Sequence, residues 1–157
     1  MKELLRLWPD APIVVRSQTK EDWPKGTKFL PEAPSNAEVY SDADVLICPH
    51  TVDGLGLEPF EAMSCGMPTI VTDGRPWDEA PALARIRSTV TQSTFRRPVQ
   101  VFTPDANHLI EICKEWINKP IESEALAVRE WTEKRSWDVL ADRFTEVVRY
   151  GKAERVR

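Results

Sequence analysis

With only six glycines, three cysteines and two histidines, the 157-residue chain lacks the material for several kinds of chemistry. Cys48, Cys65 and Cys113 are odd in number and widely spaced. They make neither a disulfide framework nor a zinc site, and are expected as reduced core thiols in a cytoplasmic protein. His50 and His108 stand too far apart to form a metal pair, and no metal is expected. No apolar run approaches the roughly 20 residues that span a bilayer. The stretch from Met1 to Leu7 lacks the apolar core and cleavage site of a secretory signal. Excess positive charge is absent too: the net charge is −4, so no global attraction to nucleic acid or an anionic membrane is expected. What remains is 41% hydrophobic and 29% charged residues, the composition of a globular chain large enough for one core.

Apolar runs and breakers divide the chain into alternating elements. Residues 2–8 read as a short amphipathic helix closed by Pro9, and Ile13 to Val15 as a buried strand. Thr27 to Leu30 is a brief strand, residues 36–41 a helical turn, and Ala43 to Cys48 a strand. A helix over 58–65 stops at Gly66, and Thr69 to Val71 is another continuous apolar strand. Such β-branched runs between helices indicate a parallel sheet covered on both faces. Residues 76–85 are expected to contain a helix, 88–94 and 99–102 to be short strands, and 105–118 a helix capped by Asp105 with Leu109, Ile110, Cys113 and Ile117 at helical spacing. Helices over 122–134 and 136–149 finish the chain. The fold class is therefore α/β, a doubly wound, mostly parallel sheet with helices on both faces. No repeat or linker divides it, so residues 1–150 form one domain and 151–157 a frayed tail.

The densest information lies where the strand ending at Cys48 runs into Pro49-His50-Thr51-Val52-Asp53-Gly54-Leu55-Gly56-Leu57. Gly54 and Gly56 permit a tight turn and close approach to a ligand. Pro59 falls in the first turn of the following helix, where its missing N–H costs nothing. The free N–H groups of that turn suit an anion. Asp53 and Glu61 flank the site, so it offers amides to a phosphate and acids to sugar hydroxyls. That combination fits a sugar nucleotide.

The run Ala43-Asp44-Val45, Pro49, Asp53-Gly54-Leu55-Gly56-Leu57 and Glu61-Ala62-Met63-Ser64-Cys65-Gly66-Met67-Pro68 resembles the C-terminal domain of GT-B glycosyltransferases. It is most similar to the retaining enzymes of glycosyltransferase family four. Ser136-Trp137-Asp138-Val139-Leu140-Ala141 resembles the closing helix of that family. The resemblance implies a Rossmann-like domain, half of a GT-B fold, that holds a nucleoside-diphosphate sugar without a metal or other cofactor. The signature acids of the family are separated by seven residues, as Asp53 and Glu61 are. By resemblance, Asp53 contacts the donor sugar and is the candidate catalytic residue, while Glu61 holds the ribose hydroxyls. The amides of Leu55, Gly56 and Leu57 meet the distal phosphate, and Glu79 stands for a donor-side glutamate in the next strand-end loop.

Two features depart from the family pattern. Asp53 replaces the usual Glu and is shorter by one methylene. The family's upstream Arg and Lys, which neutralise the donor diphosphate, have no counterpart before residue 2, nor does the domain that carries the acceptor. Lys20, Lys25, Arg75, Arg96 and Arg97 are the open choices for a substitute cation. A partner chain or the second protomer of a homodimer is expected to supply the acceptor side. The alternative is a non-catalytic nucleotide or nucleotide-sugar module, or a degenerate interaction domain.

Other residues carry two readings each. His50 is either a phosphate donor or an ordinary loop histidine. Trp77 either stacks on a base or sugar or packs as an edge aromatic. The cluster of Arg85, Arg87, Arg96 and Arg97 is either a contact for a phosphorylated acceptor or nucleic acid, or a solvated hairpin. His108 is expected to face solvent, and Trp116, Trp131 and Trp137 to pack in the core.

Overall fold

The computed structural model describes residues 1–17, 22–35, 38–52, 54–93 and 99–151. The elements in chain order are α1 (Lys2–Leu7), β1 (Val14–Val15), β2 (Lys28–Phe29), β3 (Leu46–Cys48), α2 (Leu57–Ser64), β4 (Thr69–Thr72), β5 (Ala84–Ile86), β6 (Ser88–Ser93), β7 (Val99–Pro104), α3 (Ala106–Trp116), α4 (Glu122–Glu133) and α5 (Trp137–Tyr150). The result is a mixed α/β architecture with parallel strands, as the alternation of runs requires.

β4 organises the core. Its sequence, Thr-Ile-Val-Thr, is buried at every position, and successive side chains of a strand point to opposite faces. Ile70 joins Leu4 and Leu5 of α1 with Leu109, Ile112 and Cys113 of α3 in one cluster. Val71 joins Met63 of α2, Val128 of α4 and Trp77 in the other. Helices therefore pack on both faces of β4, which explains why the strand shows no polar alternation. β3 and β5 flank β4 in parallel, with Ile47 opposite Ile70 and Val71 opposite Arg85. β1 and β2 form a separate parallel pair, and β6 and β7 an antiparallel hairpin with Val90 opposite Phe102.

The turn out of α2 follows the Gly66 signal closely. Gly66 has φ +80°; its N–H donates to the Met63 carbonyl, and Met67 N–H reaches back to Ala62, both at 2.9 Å. This paired return satisfies the last helical carbonyls and needs a residue tolerant of positive φ. Because β3 and β4 run parallel, the loops that leave them emerge at the same edge of the sheet.

Several boundaries and environments differ from the sequence reading. β3 begins at Leu46 rather than Ala43, and α2 begins at Leu57, one residue earlier than expected. The helix expected within 76–85 is absent: residues 73–80 form successive turns, and Ala84–Ile86 is a strand. Arg85 explains this. Its Nη2 donates to the carbonyls of Trp77, Asp78 and Ala80 at 2.9, 3.1 and 2.9 Å, occupying acceptors that a helix would use. Pro81 has no N–H to return to Trp77. Of the turn expected at 36–41, residues 36 and 37 lie outside the described residues, and Ser41 closes a turn onto Glu38. Cys48 and Cys113 are buried thiols, whereas Cys65, at the C-cap of α2, is exposed. Trp137 is not a core residue: it is 65% exposed, and α5 buries no residue at all. Trp116 and Trp131 are half-buried. The tail from residue 152 lies outside the described residues.

Candidate functional site

The loop between β3 and α2 is built in two halves. The first is stitched to neighbouring strands. Thr72 Oγ1 donates to the His50 carbonyl at 3.0 Å, and Phe102 N–H donates to the Thr51 carbonyl at 2.7 Å. The His50 ring meets the Trp77 indole edge-on, with centroids 5.4 Å apart at 67°. Asp53 lies outside the described residues.

The second half contains the glycines, and they differ from each other. Gly54 is exposed, and a Cβ there would meet nothing within 4 Å. Gly56 is buried and serves as the N-cap of α2 in the left-handed region, φ 61° and ψ 49°. A Cβ on Gly56 would stand 2.5 Å from Trp77 Nε1 and 2.6 Å from Pro76 Cγ. Trp77 Nε1 also donates to the Gly56 carbonyl at 3.2 Å. The close approach that Gly56 permits is therefore to the indole of Trp77, which is 1% exposed. Trp77 is a buried strut under the loop rather than an edge aromatic. Leu55 and Leu57 remain open to solvent, 73% and 53% exposed. No side chain caps the start of α2.

Glu61 lies one turn into α2, four residues after Leu57, so the two share a helix face. Its carboxylate accepts a hydrogen bond from Tyr40, Oη to Oε2 at 2.8 Å. Tyr40 is half-buried. Burial, then the bond to Glu61 and that carboxylate's charge, hold the phenol well above its ordinary pKa. The phenol thus stays protonated as a permanent donor. Tyr40 was not singled out by the sequence reading. It sits 21 residues upstream in a polar turn, and no spacing rule links it to α2.

Phe60 points about 100° round the helix from Glu61, toward α4. Its ring stacks on Trp131 at 6.0 Å and 11°, and Arg135 lies 3.9 Å from the Trp131 centroid. These residues line a cleft of about 400 Å³ together with Arg75 and Glu79. Arg75 pairs with Asp78 at 3.5 Å across exposed surface. The structure thus brings Glu79 to the α4 side of α2 with Arg75 and Arg135, apart from the side where Glu61 meets Tyr40.

Of the four clustered arginines, the two described ones, Arg85 and Arg87, are engaged within the fold. Arg85 tethers the 77–80 turn, as described above. Arg87 pairs with Asp105 at 3.7 Å and Glu111 at 3.9 Å. Arg96, Arg97 and Lys20 lie outside the described residues, and Lys25 is exposed in a turn. His108 does not simply face solvent: it is half-buried, and its Nδ1 accepts the Arg87 N–H at 3.0 Å. Asp105 caps α3, accepting from the N–H groups of Asn107 and His108 at 2.9 and 3.1 Å. These bonds, the one from His108 first, hold its carboxyl below the ordinary range.

Among the described residues, no group of three or more His, Cys, Asp or Glu side chains is placed to hold a metal ion. No helix among them is long and apolar enough to cross a membrane.

Residues 16–80 match the family described as glycosyl transferases group 1. The matched segment runs from the end of β1 to the turn after β4, so it contains the loop, Tyr40 and Glu61. The match supports a glycosyltransferase domain over this stretch. No curated protein and no solved structure gives a significant match.

Proposed function

We propose that the chain is the donor-binding half of a metal-independent, retaining glycosyltransferase of the family-four type. Its sheet is read as the doubly wound, Rossmann-like half of a GT-B fold. The donor is a nucleoside-diphosphate sugar, and a second domain, partner chain or second protomer presents the acceptor, because an open half-site does not exclude water. The observation that carries this reading is that the family match over 16–80 coincides with an uncapped helix start at the strand end and an acid on the same helix face.

In this reading Glu61 accepts the ribose hydroxyls as a directional clamp. The amides of Leu55, Gly56 and Leu57 take the distal phosphate, with His50 beside them, and Asp53 contacts the donor sugar. During transfer the bond from the anomeric carbon to the phosphate oxygen breaks. Its electron pair leaves with the diphosphate, while the acceptor hydroxyl bonds to that carbon and passes its proton to the departing phosphate oxygen. Charge grows on the phosphate as this happens, and fixed amides with the helix start stabilise it without reorganising.

Calorimetry with UDP, GDP and ADP tests the reading. One of the three is expected to bind, and Glu61→Ala is expected to weaken it by about 10–100-fold, the loss of one or two hydrogen bonds to a charged acceptor. Absence of binding by all three at millimolar concentration contradicts it.

A second reading, a nucleotide-binding module without turnover, is favoured by the pairing of Arg75, one of the choices for a substitute cation, with Asp78. Release of nucleoside diphosphate from a donor sugar by the lone chain eliminates this alternative.

A further inference from the structure

The Tyr40–Glu61 contact suggests how the acid of the proposed site is held. A glutamate on an exposed helix face rotates freely, and fixing such a side chain costs rotamer entropy. A clamp for two adjacent hydroxyls binds more tightly when its carboxylate plane is set before the ligand arrives. Glu61 is exposed, and its neighbours on α2 do not enclose it. Among the described residues, the hydrogen bond that orients its carboxylate comes from outside the helix, from Tyr40 Oη to Oε2 at 2.8 Å.

Tyr40 is suited to this task. Its ring is half-buried, and it has only two side-chain torsions to fix. The turn that carries it is braced on both sides. Ser41 Oγ donates to the Glu38 carbonyl at 2.9 Å. Arg16, from the end of β1, donates to Asp42 at 2.9 Å and also to the Pro31 carbonyl. The brace therefore runs from the β1–β2 pair through Tyr40 to α2. A carboxylate offers about four lone-pair positions, so the phenol takes one on Oε2 and leaves Oε1 available for the ligand.

We propose that Tyr40 is a positioning residue that pre-orients Glu61 toward the vicinal hydroxyls of a ribonucleotide and so sets preference for ribose over deoxygenated sugars. This rests on the donor-site reading above and adds to it a residue that need not touch the ligand.

The test titrates wild type, Tyr40→Phe, Glu61→Gln and the double variant with UDP, GDP and ADP and with the matching 2′,3′-dideoxynucleoside diphosphates. Tyr40→Phe keeps the ring and removes only the donor. It is expected to weaken the ribonucleotide by about tenfold, the worth of a charge-assisted hydrogen bond, while leaving the dideoxy analogue within roughly twofold. The double variant is expected to bind no more weakly than Glu61→Gln, because both changes remove one device. If Tyr40→Phe lowers the melting temperature, the ratio of ribo to dideoxy affinity, measured well below it, remains the readout. Equal loss for both ligands, or no loss, overturns the proposal and leaves the donor-site reading standing. Failure of wild type to bind any nucleoside diphosphate, or a ribose preference unchanged in Glu61→Gln, overturns both.

Discussion

At Gly56 the chain spends one of its six glycines on contact with an indole. With φ at 61° and a Cβ position already occupied by Trp77 and Pro76, alanine there meets two separate penalties. The left-handed backbone costs about 1–2 kcal/mol, and overpacking against a buried ring costs about 1–3 kcal/mol more. Gly56→Ala is therefore expected to destabilise by about 2–5 kcal/mol in urea unfolding. Gly54→Ala, with open space around it, should stay within about 0.5 kcal/mol of wild type. Equal effects would contradict the strut described here. The sequence pointed to both glycines as turn formers near the helix start, but of the two only Gly56 has a positive φ and a crowded Cβ position. It did not show which one packs and which stands open. That depends on Trp77, which comes from the next loop, and no local pattern brings an indole 21 residues downstream beneath a particular carbonyl. Tyr40 escaped notice for the same reason: its partner is across the fold, while its own surroundings read as polar turn.

Elements were legible where their signals are local. Asp105 before an apolar-periodic run marked α3, and the structure shows both cap bonds. The carboxyl of Asp105 is held below its unfolded value, so its contribution to stability is fully present above the unfolded pKa of about 3.9. It is lost as pH falls through the lower folded value. Melting curves of wild type and Asp105→Ala are expected to be separated at pH 7, with wild type more stable, and to converge in strong acid. A gap that persists in strong acid would show that the charge is not responsible. Elements were misread where a distant side chain overrode local preference. The stretch 76–85 has composition enough for a helix, yet Arg85 captures its carbonyls and Trp77 is drawn into the core. Helical spacing likewise placed Trp137 in the interior, but an amphipathic pattern states that a face is apolar, not that something covers it. The two tryptophans should separate clearly in thermal unfolding. Trp77→Ala should cost about 3–5 kcal/mol as a large buried ring is lost. Trp137→Ala should cost about 1 kcal/mol or less, since the ring is mostly exposed and its described partner is Phe144 at 5.3 Å. Comparable losses would contradict the exposure of α5.

For the whole molecule, the parallel strands, the two-faced burial of β4 and the loop at the sheet edge were all foreshadowed by β-branched runs and the placement of glycine and proline. The position of the Trp131 cleft relative to the loop was not. The family resemblance makes Glu79 a donor-side glutamate, and the turns of 73–80 place it in the cleft beside Trp131. Two places on either side of α2 thus compete for any nucleotide that binds. One is the open rim of residues 54–57 with Glu61 and Tyr40. The other is the mixed-charge cleft with Phe60, Arg75 and Arg135. Side-chain chemistry favours the first. In the cleft, the Trp131 ring already contacts Phe60 and Arg135, and the acids Asp78 and Glu79 oppose a diphosphate. A crystal of the chain soaked with whichever of UDP, GDP or ADP binds in solution decides between them. The account expects the diphosphate against the amides of Leu55 to Leu57 and the pentose hydroxyls on Glu61. Density for the nucleotide in the Trp131 cleft, with Glu61 still bonded only to Tyr40, would contradict it.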